Sequence, residues 1–131
     1  MCLLAAVVDW SETAISCSAV SHSDPANPLR ADGRLGAANG IEYAAQAMAV
    51  HGALLAAADE PPRQGYLASV RGVQLHVARL DDLPGELSIT AERLSGDGNH
   101  ILYRFAVSHA GHCLLEGRAA VILDADQENA P

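Results

Sequence analysis

The sequence predicts an α+β domain in which an antiparallel sheet of about six strands wraps one central helix. Three observations predict it. One long segment, residues 38–57, is apolar on nearly every side and carries a single acid. The segments around it alternate apolar and polar residues at period two, the spacing of strands with one covered face. The turn signals between the later segments are short, so neighbouring strands pair as hairpins.

A chain of 131 residues with half of them apolar amounts to one domain with ample core. Residues 1–124 make the domain, and 125–131 an acidic tail expected to fray. Aromatics are few (Trp10, Tyr43, Tyr66, Tyr103 and Phe105), so Val, Leu, Ile and Ala must fill the core. A formal charge of −8 argues against nucleic acid or an anionic membrane as partner. All eight basic residues are Arg; Arg30, Arg34, Arg63, Arg71 and Arg79 lie mid-chain, where a local patch could meet a phosphate. Cys2, Cys17 and Cys113 show no paired spacing, which suggests a reducing cytoplasm and no zinc site. No apolar run reaches the ~18–20 residues that span a bilayer, and no signal peptide is legible.

The elements follow in order. Residues 2–10 and 13–20 read as strands joined at Ser11-Glu12. Residues 21–37 are rich in Ser, Asp, Pro, Asn and Gly, a long loop of the kind that often carries function. The helix then starts at Asn39, with Glu42 three residues on in the capping-box pattern, and stops at Asp59-Glu60-Pro61-Pro62. Ala44, Ala45, Ala49 and Gly52 let a sheet approach it closely. Strands are expected at 65–79, with a bulge at Gly72, and at 85–94, 100–109 and 113–123. Leu87, Ile89, Ile101, Tyr103, Phe105, Val107, Leu115, Ala119 and Val121 should face inward. One sheet around one helix leaves strand edges open, so a dimer is expected.

The segment Asn39-Gly40-Ile41-Glu42-Tyr43-Ala44-Ala45-Gln46-Ala47-Met48 holds one carboxylate and one amide four residues apart, hence on one face. A lone acid on an apolar helix needs an explanation, either as a cap or as chemistry. Together with His22, Asp24-Pro25-Ala26-Asn27-Pro28-Leu29, Asp32-Gly33-Arg34-Leu35 and Gly65-Tyr66-Leu67-Ala68-Ser69-Val70-Arg71-Gly72-Val73, this segment carries a family resemblance. The chain resembles the hotdog-fold 3-hydroxyacyl-[acyl-carrier-protein] dehydratases of the FabA/FabZ type, above all a divergent branch that includes members from aryl-polyene clusters. The resemblance covers nearly the whole chain.

That resemblance implies a site at a dimer interface, built from a loop His and a helix acid of two subunits. Carried over, the pair is His22 and Glu42, with Gln46 as the helix Gln one turn after the acid. It also implies a substrate held on the phosphopantetheine of an acyl carrier protein, or on CoA, with no cofactor. In the family's ordinary members the loop His is followed by Phe-Pro; here Ser23-Asp24 follows His22.

Such a reaction needs a base for the C2 proton and an acid for the leaving hydroxyl. An imidazole suits the first role. Glu42, set among Ala, Ile and Met, suits the second, because burial favours the neutral acid. The free amides of the helix start, Ala37 to Gly40, are candidates for the thioester oxygen, and Arg34 and Arg71 for the phosphate. Two other readings stand beside an active dehydratase: a non-catalytic hotdog subunit that binds acyl chains or completes a heterodimer, and an acyl-thioester hydrolase using the same acid. His51 falls on the far side of the helix from Glu42 and reads as structural, Cys17 and Cys113 as small core residues, and His109 and His112 lack partners at ligand spacing.

Overall fold

A computed structural model describes residues 2–56, 65–96 and 99–123. Six strands and one helix follow in the expected order: β1 (Ala6–Trp10), β2 (Ala14–Ala19), α1 (Gly40–Leu55), β3 (Gly65–Leu75), β4 (Leu87–Gly96), β5 (His100–His109) and β6 (His112–Leu123). All pair antiparallel in one sheet of order β1-β2-β4-β5-β6-β3. This is the hotdog arrangement. The stop expected at Asp59 to Pro62 and the tail after Asp124 lie outside the described residues. Among those described, no helix is long and apolar enough to cross a membrane.

Period-two patterning decides which side of each strand is buried. Leu87, Ile89 and Ala91 of β4 and Ile101, Tyr103, Phe105 and Val107 of β5 point to the core. The helix meets them with Gly40, Tyr43, Ala44, Ala47, Met48 and His51, which recur at the spacing of one helical face. Burying each large apolar side chain stabilises the fold by about 1.5–3 kcal/mol. His51 is structural, as expected: its Nε2–H donates to the Ser11 carbonyl at 2.8 Å, leaving Nδ1 to accept from the Tyr103 hydroxyl at 2.7 Å.

At Gly40 the helix lies close against Leu115 of the sheet. A Cβ there would lie 2.6 Å from Leu115 Cδ2 and 3.2 Å from its Cγ, and Leu115 is wholly buried. Because the branch carbon is included, rotating one methyl group cannot relieve the clash. Gly40→Ala should cost about 1–3 kcal/mol, read as a lower denaturation midpoint with an unchanged slope.

Three expectations are corrected. Asn39 is not an N-cap: it has helical angles (φ −67°, ψ −15°) and makes no side-chain cap bond. The helix axis starts earlier, in a 3-10 turn over Ala37–Asn39, and Asn39 Nδ2 donates to the Gly36 carbonyl instead. The apolar residues of β3 make only part of a core face: Val70 and Val73 pack against the core, but Tyr66 and Leu75 are each 48% exposed at the sheet edge. Cys113 is exposed, whereas Cys17 is buried as expected. The register of β6 slips beside Cys113, with Ser108 opposite Cys113 and Val107 opposite Leu115, so Leu114 and Leu115 both turn inward and Cys113 turns out. The expected bulge in β3 is present, with Gly72 at φ +61°.

Candidate active site

Glu42 stands in the first turn of α1. With Asn39 absorbed into the preceding 3-10 turn, no capping box claims its carboxylate. The side chain is exposed in the single chain, which corrects the expectation that neighbours on its own helix would keep it dry. Those apolar neighbours face elsewhere: Tyr43, Ala44, Ala47 and Met48 go to the sheet, while Glu42, Ala45, Gln46 and Ala49 form the outward stripe.

Gln46, one turn further, is engaged. Its Oε1 accepts the Leu3 amide at 2.7 Å, tying the N-terminal segment across the helix. Gln46, Ala49 and Val50 line one wall of an apolar groove of about 500 Å³, and Cys2, Leu4 and Ala5 to Val7 line the other. The groove therefore begins one helical turn from Glu42.

His22 lies in a 3-10 turn over Ser21–Ser23 and is completely buried. Its Nε2 is 2.9 Å from the Leu83 carbonyl. A carbonyl only accepts, so Nε2 carries the proton and Nδ1 holds the lone pair. Nδ1 is itself buried and has no partner. Desolvation is the main cause that lowers the His22 pKa below its ordinary value; the Leu83 bond opposes it, the charges of His109 and Arg30 add to it, and Asp81 opposes it. The ring is closed off from solvent, and its lowered pKa favours the neutral imidazole that a base requires.

The surrounding loop is held by charge. Arg30 donates to the His22 carbonyl at 3.2 Å and to the Gly33 carbonyl at 3.0 Å, and lies 3.9 Å from Asp81. Asp81 pairs with Arg79 and accepts the Leu35 amide at 2.9 Å. Its Arg79 partner, and next the Leu35 bond, hold the carboxyl far below the usual carboxylate range.

The expected oxyanion amides are mostly engaged. Ala37 donates to the Ala78 carbonyl and Asn39 to the Gly36 carbonyl, each at 3.0 Å. Gly40 donates to the carbonyls of Ala37 and Ala38. Of the four amides, only that of Ala38 donates none of these bonds.

Arg34 sits in the exposed loop, bridged to Ala31 through the backbone. Arg71 stands apart from it on β3. There it faces Arg118, which in turn faces Arg104. These cross-strand neighbours edge a surface hollow of about 360 Å³. Like charges directly opposite one another are unfavourable; Glu92, 3.4 Å from Arg104, offsets part of this.

An acid on a helix of this fold, next to an apolar groove, can be set against known proteins. The sequence matches the ApeP-like family, described as ApeP dehydratase, over residues 1–130. The chain belongs to the ApeP-like dehydratase family. No curated protein matches it. Among solved structures it is similar to the dehydratase heterocomplex ApeI:P from Xenorhabdus doucetiae, with 25% identity, a TM-score of 0.81, and coverage of 97% of this chain and 86% of that one. A thioesterase from Staphylococcus aureus (12% identity, TM-score 0.67, coverage 90% and 91%) and one from Haemophilus influenzae (12%, 0.65, 89% and 76%) share the fold alone.

Within this ApeP-like chain the structure adds residues that the sequence reading passed over. Asn27 is buried, donating from Nδ2 to the Ser21 carbonyl at 2.9 Å and the Tyr43 hydroxyl at 3.1 Å. Ser21 Oγ donates to the Leu3 carbonyl, so the Tyr43 hydroxyl donates to Ser21. These bonds fix loop, helix and N-terminal segment to one another. The Asn-Pro pair marks a turn in sequence, but nothing local shows that Asn27 reaches a tyrosine on another element.

Proposed function

We propose that this chain is a subunit of a 3-hydroxyacyl-[acyl-carrier-protein] dehydratase, with Glu42 as the proton donor of a site completed by a second hotdog subunit. The observation that supports it is Glu42 itself: an acid freed from any cap, on the outward stripe of an apolar helix, one turn from a groove lined by apolar residues. A second subunit seated on that stripe removes water from the carboxyl and favours its protonated form. Open edge-strand residues such as Tyr66 and Leu67 suit the same assembly. The ApeI:P heterocomplex is the precedent for two hotdog subunits working together.

In the reaction an imidazole takes the C2 proton of the thioester. The C3–O bond breaks as Glu42 gives its proton to the departing hydroxyl, which leaves as water. The groove beside Gln46 takes the acyl chain, and the Ala38 amide is the remaining candidate for the thioester oxygen. Acid-base dehydration calls on no cofactor; the acyl group arrives on phosphopantetheine or CoA. The row Arg71, Arg118 and Arg104 suits an acidic carrier protein or its phosphate, and offsets locally the net charge of −8. Arg118→Glu should raise KM for carrier-borne substrate several-fold, and less for the CoA thioester, which shares the phosphate but not the acidic carrier surface.

The buried His22 supports a partner-supplied imidazole. A second reading keeps His22 as base, favoured by its lowered pKa and unpartnered Nδ1; it requires the buried Nδ1 to become accessible to substrate. Incubating the chain, alone and with a second hotdog subunit, with 3-hydroxyacyl carrier protein and with acyl-CoA separates the functions. Water loss that requires Glu42 supports the proposal. Thiol release that requires Glu42 makes the chain a hydrolase, and turnover indifferent to Glu42 makes it a non-catalytic partner.

A further inference from the structure

Away from the helix, the β3–β6 edge gathers three side chains of metal-binding type. His76 Nε2, Cys113 Sγ and Glu116 Oε2 lie within 4.8 Å of one another, the one such group found among the described residues. Nε2 to Oε2 is 2.9 Å and Sγ to Oε2 3.6 Å. Two features of the backbone put them together. Residues three apart on a regular strand face opposite ways, but the register slip at Leu114 turns Cys113 to the same side as Glu116. Gln74 pairs with Glu116 across β3 and β6, so His76, two residues on, returns to that side, with its amide donating to the Leu114 carbonyl at 2.8 Å. Chain spacing gave no sign of this cluster because pairing of distant strands creates it.

We propose that His76, Cys113 and Glu116 bind a divalent, borderline-soft cation of the Zn²⁺ type. A thiolate, an imidazole and a carboxylate form a donor set that such an ion takes in tetrahedral geometry, with ligand atoms roughly 3–4 Å apart. The thiolate and carboxylate charges match a divalent ion. Binding releases the Cys113 thiol proton to water and shifts the His76 ring proton from Nε2 to Nδ1, so that Nε2 can ligate. The cluster is at the surface, with His76 and Cys113 exposed and Glu116 half-buried. Arg71, Arg104 and Arg118 line one hollow with Glu116 and oppose the ion, Arg104 acting on Glu116 from a neighbouring strand.

The test titrates the full chain with Co²⁺ as probe, in the reduced state. About one equivalent per chain should bind, with a thiolate-to-cobalt charge-transfer band in the near ultraviolet, and Zn²⁺ should displace it. Cys113→Ser should abolish the band, and His76→Gln should weaken binding by at least the ~10–100-fold that even outer partners of a metal are worth. Cys2→Ser, which removes the other exposed thiol, should leave both unchanged. No band in the native chain, or a band that survives Cys113→Ser, overturns the proposal. Circular dichroism of the variants separates a lost ligand from a lost fold.

Discussion

Glu42→Gln, assayed with a 3-hydroxyacyl carrier-protein substrate in the assembly proposed above, should lower turnover by roughly 10²–10⁴-fold, the usual contribution of a positioned acid. The amide has nearly the shape of the carboxyl but no proton to give. Glu42 is exposed and makes no cap bond, so the variant should unfold at the temperature of the native chain. Acyl binding should persist, because the groove is lined by other residues. A loss confined to KM would assign Glu42 to substrate binding. A loss of folding would make it structural after all.

His22 gives the second large effect, and of a different kind. His22→Ala should destabilise the chain by about 2–4 kcal/mol, since it opens a cavity at a fully buried position and strips the Leu83 carbonyl of its donor. His22→Gln, which keeps a donor near that carbonyl, should recover much of the loss and retain turnover to within about tenfold. A catalytic base would instead show a loss of roughly 10²–10⁴-fold in both variants. The pH dependence follows from the direction of the shift. The folded pKa lies below the ordinary ~6.5 of an unfolded chain, so on acidification the unfolded state binds the proton first. Stability attributable to His22 is therefore complete above pH ~6.5 and falls as pH drops through that value. Thermal melts between neutral and mildly acid pH should show the fall in the native chain and a smaller one in His22→Gln.

The sheet and helix were legible because hydrophobic period is a local signal. Leu87, Ile89, Tyr103 and Phe105 announce their faces in any window of a few residues, and all are buried. Glu42 stands out in sequence as the one acid of its helix, and the structure places it on the outward stripe. What could not be read depends on neighbours far along the chain. Whether Asn39 caps the helix turns on where the axis starts, and the 3-10 turn before it moves that start by one turn. The residues of β3 alternate like those of a core strand, yet at the sheet edge Tyr66 and Leu75 are left exposed while Val70 and Val73 pack inward. Cys113 changes sides through one bulge, and the burial of His22 requires knowing that Leu83, some sixty residues on, closes over it.

The central claim is that Glu42 holds its proton at neutral pH once a second subunit covers the outward stripe of α1. Infrared difference spectroscopy of the assembled enzyme at neutral pH, native against Glu42→Gln, measures this directly. The account predicts a protonated-carboxyl C=O band in the assembled native enzyme that disappears in the variant and is missing from the isolated chain. An assembled enzyme without that band, or with the band untouched by the substitution, would contradict it.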